Sequence, residues 1–426
     1  MTSQTQRLSN KEKKSSSPWR VLTLAEVGEI VSGGTPSTAK PEYWGGDINW
    51  ISPSDLTGYK KKTIKKGAKS ITNLGLKNSS ASMIPKGSVL FSSRAPIGYV
   101  VIAAEDLSTN QGFKSIVPHD FVASEYLYYY LKASKQLAEN AASGTTFKEI
   151  SKSKFSDLQI PVPDIDIQLA IVSKIEELFS ELDMGIESLK LAQQQLKVYR
   201  QSVLKWAFEG RLTNEDVKEV ELPEGWKKLK LVEIVERISD GPFGSNLKSS
   251  DYVDSGIRVI RLENIGILEF KNEYKSFISP EKYETIKGHT IRGGDIIFSS
   301  FIIDNIKSTV LPNNIEIAVN KADCFLVRTD PNKINNKYLC YYFASNAMKR
   351  QLEESIHGAT RPRINTTQLK SSIIPCCQLQ EQLETVQAIE ERLRVATKME
   401  ETINQSLQQA EVMRQSILKR AFEGKL

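Results

Sequence analysis

Cysteine is scarce: Cys324, Cys340, Cys376 and Cys377 are the only four in 426 residues, all in the last quarter and none in C-x-x-C spacing. That argues against a disulfide framework and against a structural zinc site. Histidine is scarcer still, with His119, His289 and His357 standing singly. No zinc triad can be drawn from them, and the basis for Ser-His-Asp or Cys-His catalysis is thin. No run of about 18 apolar residues occurs, and the opening MTSQTQRLSNKEKKSSS has charge without a following apolar stretch. The expectation is a cytoplasmic protein with no membrane segment. There is no G-x-x-x-x-G-K-[ST], and SGGT (32–35) is not a G-x-G-x-x-G turn, so no nucleotide cradle is recognisable. The N-P-P-[FY] loop of amino-methyltransferases is missing, as is a compact D…E-x-K nuclease cluster. The chain reads as a binder rather than a catalyst.

What is present is ordinary in bulk and unusual in order. Apolar residues make up 40% and charged residues 25%, values of a soluble globular chain, and the length fits two to three domains. The net charge of +6 is compatible with a polyanionic partner without being evidence for one.

The order is a tandem duplication. WRVLTLAEVGEI from Trp19 matches WKKLKLVEIVERI from Trp226, and GSVLFSS from Gly87 matches GDIIFSS from Gly294 at the same offset of 207. Small insertions then accumulate: Asn110 aligns with Asn320, YLYYYL from Tyr126 with YLCYYF from Tyr338, and Ile150 with Ile364. The tails match best, VYRQSVLKWAFEGRL from Val198 against VMRQSILKRAFEGKL from Val412. In each copy a first part of short β-branched and aromatic runs among Gly, Pro, Ser and Asn reads as strands. One helix is expected inside it, from Ser124 to about Asn140, mirrored from Asn335 to about Ser355.

The second part of each copy has the composition of a long helix with heptads. Ile175, Leu182, Leu189, Leu196 and Val203 are spaced by seven, with Leu178, Gly185, Ala192, Tyr199 and Trp206 three residues on. In the second copy Ile389, Ala396, Ile403, Ala410 and Ile417 form the first series, with Met399 and Met413 in the partner series beside the less suitable Arg392, Ser406 and Arg420. Each helix would be a rod of roughly 65 Å. The matching stripe for each is its duplicate, so an antiparallel coiled coil is expected; an amphipathic helix lying on its own domain is the alternative.

Three segments are candidates for nucleic-acid contact. Lys60, Lys61, Lys62, Lys65, Lys66 and Lys69 crowd beside Tyr59, after the Trp-rich loop PEYWGGDINWISPSD. They would neutralise phosphates, or they form a solvated loop. Arg94, in the turn SSRAPIG, suits bidentate contact with guanine or phosphate, or pairing with a core carboxylate. SGTTFKEI (143–150) aligns with HGATRPRI (357–364), giving Thr145, Thr146 and Lys148 in one copy and Thr360, Arg361 and Arg363 in the other. Cations are expected at equivalent positions of the two loops, as a phosphate clamp or base reader; a plain turn is the alternative. Two diverged readers at fixed separation would recognise an asymmetric, bipartite site.

LPEGW (222–226), GSVLFSSR (87–94), NQG (110–112), SGTTFKEISKSKF…IPVP (143–163) and the twice-used RQSxLKxAFEGxL together resemble the specificity subunit of type I restriction-modification enzymes, from about Trp19 to the end. The Ser- and Lys-rich opening (1–17) reads as a disordered tail and the short polar stretch 213–224 as a linker, and the resemblance implies target recognition domains at 18–163 and 225–377 with long spacer helices at 164–212 and 378–426. The implied fold class is α+β, with two mixed α/β domains related by a pseudo-twofold and separated by the antiparallel helices. The implied partners are double-stranded DNA, two methyltransferase subunits and restriction/translocase subunits. S-adenosylmethionine, ATP and Mg would be held by those partners and no cofactor or metal by this chain, which has no catalytic residue of its own. The second copy departs from the pattern: it reads SSFIIDN for SSRAPIG and IPCCQLQEQ for IPVPDIDIQ, so no counterpart of Arg94 carries over. A cryptic nuclease or methyltransferase, and a coiled-coil scaffold without DNA function, are the competing readings.

Overall fold

The computed structural model describes residues 19–94, 96–144, 148–214, 222–303, 305–356 and 363–426. The expected tail (1–17) and most of the linker (215–221) lie outside them. The chain forms two compact units, one of the residues up to Ser188 with Ser406–Leu426, the other of Leu189–Gln405. Each unit therefore holds one globular part together with half of each long helix.

The two globular parts repeat one topology. In the first, a sheet runs Gly28–Ser32, Phe113–Pro118, Val89–Ser92, Val100–Ala103, with all neighbours antiparallel. In the second, Val235–Ser239, Cys324–Thr329, Ile296–Ile302 and Ile306–Val310 follow the same order. The strands VLFS and VVIA are buried at every residue, which is why they read as continuous β-branched and aromatic runs without alternation. A second sheet joins Trp44–Ile51 in parallel to Leu107–Thr109, as Ile257–Ile260 joins Ala318–Asn320. The first unit adds Thr63–Ile64, parallel to Val100–Ala103. The Trp-rich stretch expected as a loop is largely the strand Trp44–Ile51.

The helix expected from Ser124 to about Asn140 is broken into Ser124–Ala133 and Lys135–Ala141, and its mirror into Asn336–Phe343 and Asn346–Glu354. Serine makes the break in both. The Ser134 hydroxyl donates back to the Tyr130 carbonyl, and the Ser345 hydroxyl accepts from the Met348 amide as an N-cap. Tyr126 and Tyr338, both fully buried, stack edge-on against Phe422 and Phe208 at the ends of the long helices.

The long helices run Ile165–Phe208 and Leu379–Phe422. Each ends on a glycine at positive φ, Gly210 (75°) and Gly424 (69°). The Arg211 amide reaches the Trp206 carbonyl at 2.8 Å and the Lys425 amide the Arg420 carbonyl at 2.9 Å, the six-to-one bond of a Schellman cap. The helices begin with a second repeated device. Gln168 is fully buried; its Oε1 accepts from the Ala123 amide (2.9 Å) and its Nε2 donates to the Phe121 and Pro163 carbonyls (2.9 and 2.8 Å). Gln382, equally buried, does the same with Asn335 (2.8 Å), Lys333 (3.1 Å) and Cys377 (2.9 Å).

Within each unit the helices pair antiparallel. In the second, Gln193 donates to Asn404 at 2.7 Å while Arg200 reaches Thr397 and Glu400, each at 3.0 Å. In the first, Arg414 ion-pairs with Asp183 and lies 4.7 Å over the Phe179 ring. Arg200 and Arg414 are repeat equivalents, as are Thr397 and Asp183, so the same contact is made once in each unit.

The seam differs from the one expected. Ile175, Val203, Ile389, Ala396, Ile403 and Ala410 are buried, and Leu182, Leu189, Leu196 and Ile417 are half-buried. A further partner series lies four residues on: Phe179, Ile186, Gln193, Arg200 and Ala207, and Leu393, Glu400, Leu407, Arg414 and Ala421, while Leu178, Ala192, Tyr199 and Trp206 of the expected series are half-buried beside it. Gly185, Met399 and Met413 are exposed. In heptad terms the sequence series is d, and a is occupied in part by polar residues that pair across the seam, which hides it from a hydrophobic pattern. Among the described residues no helix is long and apolar enough to cross a membrane.

Candidate nucleic-acid interface

The lysine segment frames the strand Thr63–Ile64. Lys62 is tied to Glu176 of the first long helix at 2.6 Å and Lys65 to Glu105 at 2.5 Å. Lys69 lies 5.4 Å over the Trp44 ring, which packs edge-on against Trp50. Lys60, Lys61 and Lys66 are exposed and make no hydrogen bond or ion pair with the described residues. Exposed ion pairs are worth at most about 1 kcal/mol, so Lys65 remains open to a phosphate.

Arg94 follows the buried strand Val89–Ser92 and faces Glu149 at 3.5 Å, its side chain about one-third exposed. Glu149 also faces Lys114, 3.5 Å away, on the strand Phe113–Pro118. Lys114 is 7% exposed and donates to Ser93 at 3.5 Å. Nothing in the sequence singles out this buried lysine, because it sits inside an apolar strand, FKSIVP. One carboxylate thus stands between two cations.

The same point of the second unit is built with the charges exchanged. Arg94 pairs in a β-bridge with Glu149, and Phe301 with Arg363, so Phe301 replaces Arg94 and Arg363 replaces Glu149. The amides of Ser93 and Ser300 donate to the carbonyls of Gly112 and Asp323, so Asp323 replaces Gly112. Arg363 ion-pairs with Asp323 and lies 5.7 Å over the Phe301 ring. Ser300 donates to Asp323 at 2.9 Å. Asp323 holds φ at 73°, a left-handed conformation that Asp tolerates better than bulkier residues.

Two of the expected alignments do not hold. Cations do not occupy equivalent positions of the two loops, since the residue matching Arg363 is the anion Glu149. The amides of Phe113 and Cys324 donate to the carbonyls of Asn110 and Lys321, so Asn110 matches Lys321, one residue beyond Asn320. Between the points matched by Ser93–Gly112 and Ser300–Asp323 the second unit is longer by four residues, one more than the sequence match counts. Lys148 is exposed, whereas Thr145, Thr146, Thr360 and Arg361 lie outside the described residues.

Further cations gather in the second unit where the sequence shows no run. Arg261 and Lys321 both lie over the Tyr252 ring, at 5.7 and 5.3 Å, and Lys321 donates to its hydroxyl at 3.1 Å. Arg258 lies 5.9 Å over Phe277. Asp240, matching Ser32, accepts from the Gly241 and Asp323 amides at 2.7 and 2.9 Å. Burial raises its carboxyl's pKa, opposed by those two hydrogen bonds. All four thiols are buried, and burial pushes those of Cys340, Cys376 and Cys377 up to about 12. Few thiolates form at neutral pH there.

The profile for the type I restriction modification DNA specificity domain matches the chain twice, at residues 16–191 and 223–409. The chain belongs to the type I restriction-modification DNA specificity family. Among relatives in this specificity family, a type I restriction enzyme specificity subunit of Methanocaldococcus jannaschii (MjaIX) is 31% identical over 369 residues, 84% of this chain and 82% of its own length. The EcoBI specificity subunit of Escherichia coli is 28% identical over 324 residues, 73% and 67% of the two chains. The fold is that of two solved structures. A chain from a study of assembly and conformational transition in the type I R-M system superposes with a TM-score of 0.70 at 20% identity, covering 96% of this chain and 98% of that one. The HsdS subunit from Thermoanaerobacter tengcongensis gives 0.60 at 19% identity, with the same coverage.

Proposed function

We propose that this chain is the DNA sequence-specificity subunit of a type I restriction-modification complex, with each globular part reading one half of an asymmetric bipartite site. The observation that carries the reading is the arginine clasp. At one point of a duplicated fold each unit holds an arginine beside a carboxylate, set among two cations and one anion in the first (Arg94, Lys114, Glu149) and among anions in the second (Arg363, Asp323, Asp240). Shared geometry with exchanged charge is what two readers of different sequences require. Arg94 and Arg363 then contact base edges or phosphate, together with Thr145, Thr146, Lys148, Thr360 and Arg361 of the adjoining loops. Lys60, Lys61, Lys62, Lys65 and Lys66 supply a sequence-independent phosphate term. In this reading residues 18–163 and 225–377 are the recognition domains, and the helices set the spacer.

The partners are two copies of a methyltransferase subunit. Support comes from exposed identities between the repeated helix ends, where core packing imposes none. Val198 and Val412 are 67% and 71% exposed. Lys205–Glu209 and Lys419–Glu423 form the same i,i+4 pair at 3.7 and 3.9 Å. One surface presented twice fits one partner bound twice. S-adenosylmethionine, ATP and Mg belong to methyltransferase and restriction subunits, the complex is cytoplasmic, and this chain alone catalyses nothing.

Mapping methylated adenines in a host with and without the gene tests the reading. A single bipartite motif with a fixed unread spacer should vanish on deletion. An unchanged methylation map, or turnover by the purified chain alone, would overturn it.

A further inference from the structure

A cavity of about 330 Å³ opens in the second unit beside the arginine clasp, lined by Asp240, Phe243, Phe325, Arg363, Asn365 and Thr366. Its residues follow from the exchange of charge already described. Strand pairing sets Ser32 opposite Lys114 in the first unit, and Asp240 follows Ser239, which is paired with Leu326 beside Phe325, in the second. Serine and lysine have become aspartate and phenylalanine, so a cationic spot has become an acceptor over an apolar floor.

Asp240 is only half committed. Its Oδ1 accepts both backbone amides, Gly241 and Asp323, while its Oδ2 has no donor among the described residues. Phe243 stands at the mouth, 57% exposed, in the loop SDGPFGSN, where the first unit carries Thr35 bonded to Gln111. The Phe243 ring offers a flat apolar face against which a planar ligand can lie. Arg363 completes the wall, its guanidinium turned to Asp323 and Phe301.

We propose that Asp240 is a specificity-determining residue of the second half-site: its free oxygen accepts the exocyclic amine of a cytosine, Arg363 donates to the paired guanine, and Phe243 covers the base edge. A carboxylate acceptor next to a guanidinium donor complements the major-groove face of a C·G pair, which presents one amine beside two acceptors. Thymine in place of that cytosine turns the amine into a carbonyl and sets it against the carboxylate. The unit's motif therefore contains at least one cytosine that thymine cannot replace.

This inference rests on the reading of the chain as a specificity subunit, and the test separates the two. The full chain, as Asp240→Asn, is assembled in its host complex and the methylation motif is remapped, with competition binding of C·G against T·A duplexes. Asparagine keeps the oxygen that the two amides need and adds a donor that suits thymine. One position of one half-site should lose discrimination by about 10- to 100-fold, with the other half-site and the spacer unchanged. Asp240→Glu, which keeps the charge, should retain the cytosine preference. An Asp240→Asn complex with wild-type preference at every position, or a wild-type second half-site without a cytosine, would overturn the proposal. A wild-type complex with no bipartite motif would overturn the underlying reading as well.

Discussion

Replacing Gln168 with methionine changes little in volume and removes one amide from a sealed site. The side chain is fully buried, and its three partners are backbone groups: one N–H and two C=O. Leaving a buried group without its partner costs about 1–3 kcal/mol, and of the three bonds only that to Pro163 is wholly buried, those to Ala123 and Phe121 being part-buried. Partial relaxation of the Ala123 loop offsets some of this, which leaves an expected loss of about 3–5 kcal/mol. Because the amide ties the first turn of the long helix to the loop before Ser124, the loss should appear locally. Hydrogen exchange of the first unit should accelerate, while amides of Leu189–Gln405 keep wild-type rates. Gln382→Met should give the converse pattern. Urea unfolding followed by circular dichroism supplies the magnitude. A loss under about 1 kcal/mol for both variants, or the same exchange pattern for both, would refute the view that these two glutamines fix helix to domain.

The observed seam makes Ala396→Glu and Met399→Glu unequal: a carboxylate at the buried Ala396 (1% exposed) should cost several kcal/mol, and one at Met399 (54% exposed) under about 0.5. Equal melting temperatures for the two would restore the register expected from hydrophobicity. Replacing Lys60, Lys61 and Lys66 together by alanine should weaken binding alike on matched and mismatched duplexes and flatten the slope of log K against log salt by about 0.9 for each phosphate no longer neutralised. A salt dependence identical to wild type would show that the segment does not meet DNA. Arg94→Ala and Arg363→Ala should each relax one half-site only, by about 1–3 kcal/mol per base pair; identical losses on all sequences would assign them to phosphate instead.

The duplication, the strand-rich first parts and both long helices are legible in the sequence because they rest on repeated patterns of many residues. Each helix begins one residue after the expected bound and stops four before it, at the Ala-Phe-Glu-Gly ending that carries its own cap. The seam takes in a further heptad position because Gln193, Arg200, Glu400 and Arg414 are polar yet face the partner helix, whereas Met399 and Met413 are apolar and face water. Hydrophobicity alone favours the methionines. At the candidate interface the lysine cluster is visible as a run, but the clasp is not. Lys114 and Glu149 are 35 residues apart in sequence and meet only through the sheet. The two cations over Tyr252, Arg261 and Lys321, come from segments 60 residues apart. Asp240 and Phe243 look like ordinary loop residues, and only strand pairing shows what they replace.

The four buried thiols give the molecule an uneven chemical handle. All of them fall between Cys324 and Cys377, inside the second unit, and none lies in the first. A thiol-reactive dye added to the native chain should therefore stay almost unreacted until that half opens, and its uptake then clocks the opening of one reader while remaining blind to the other.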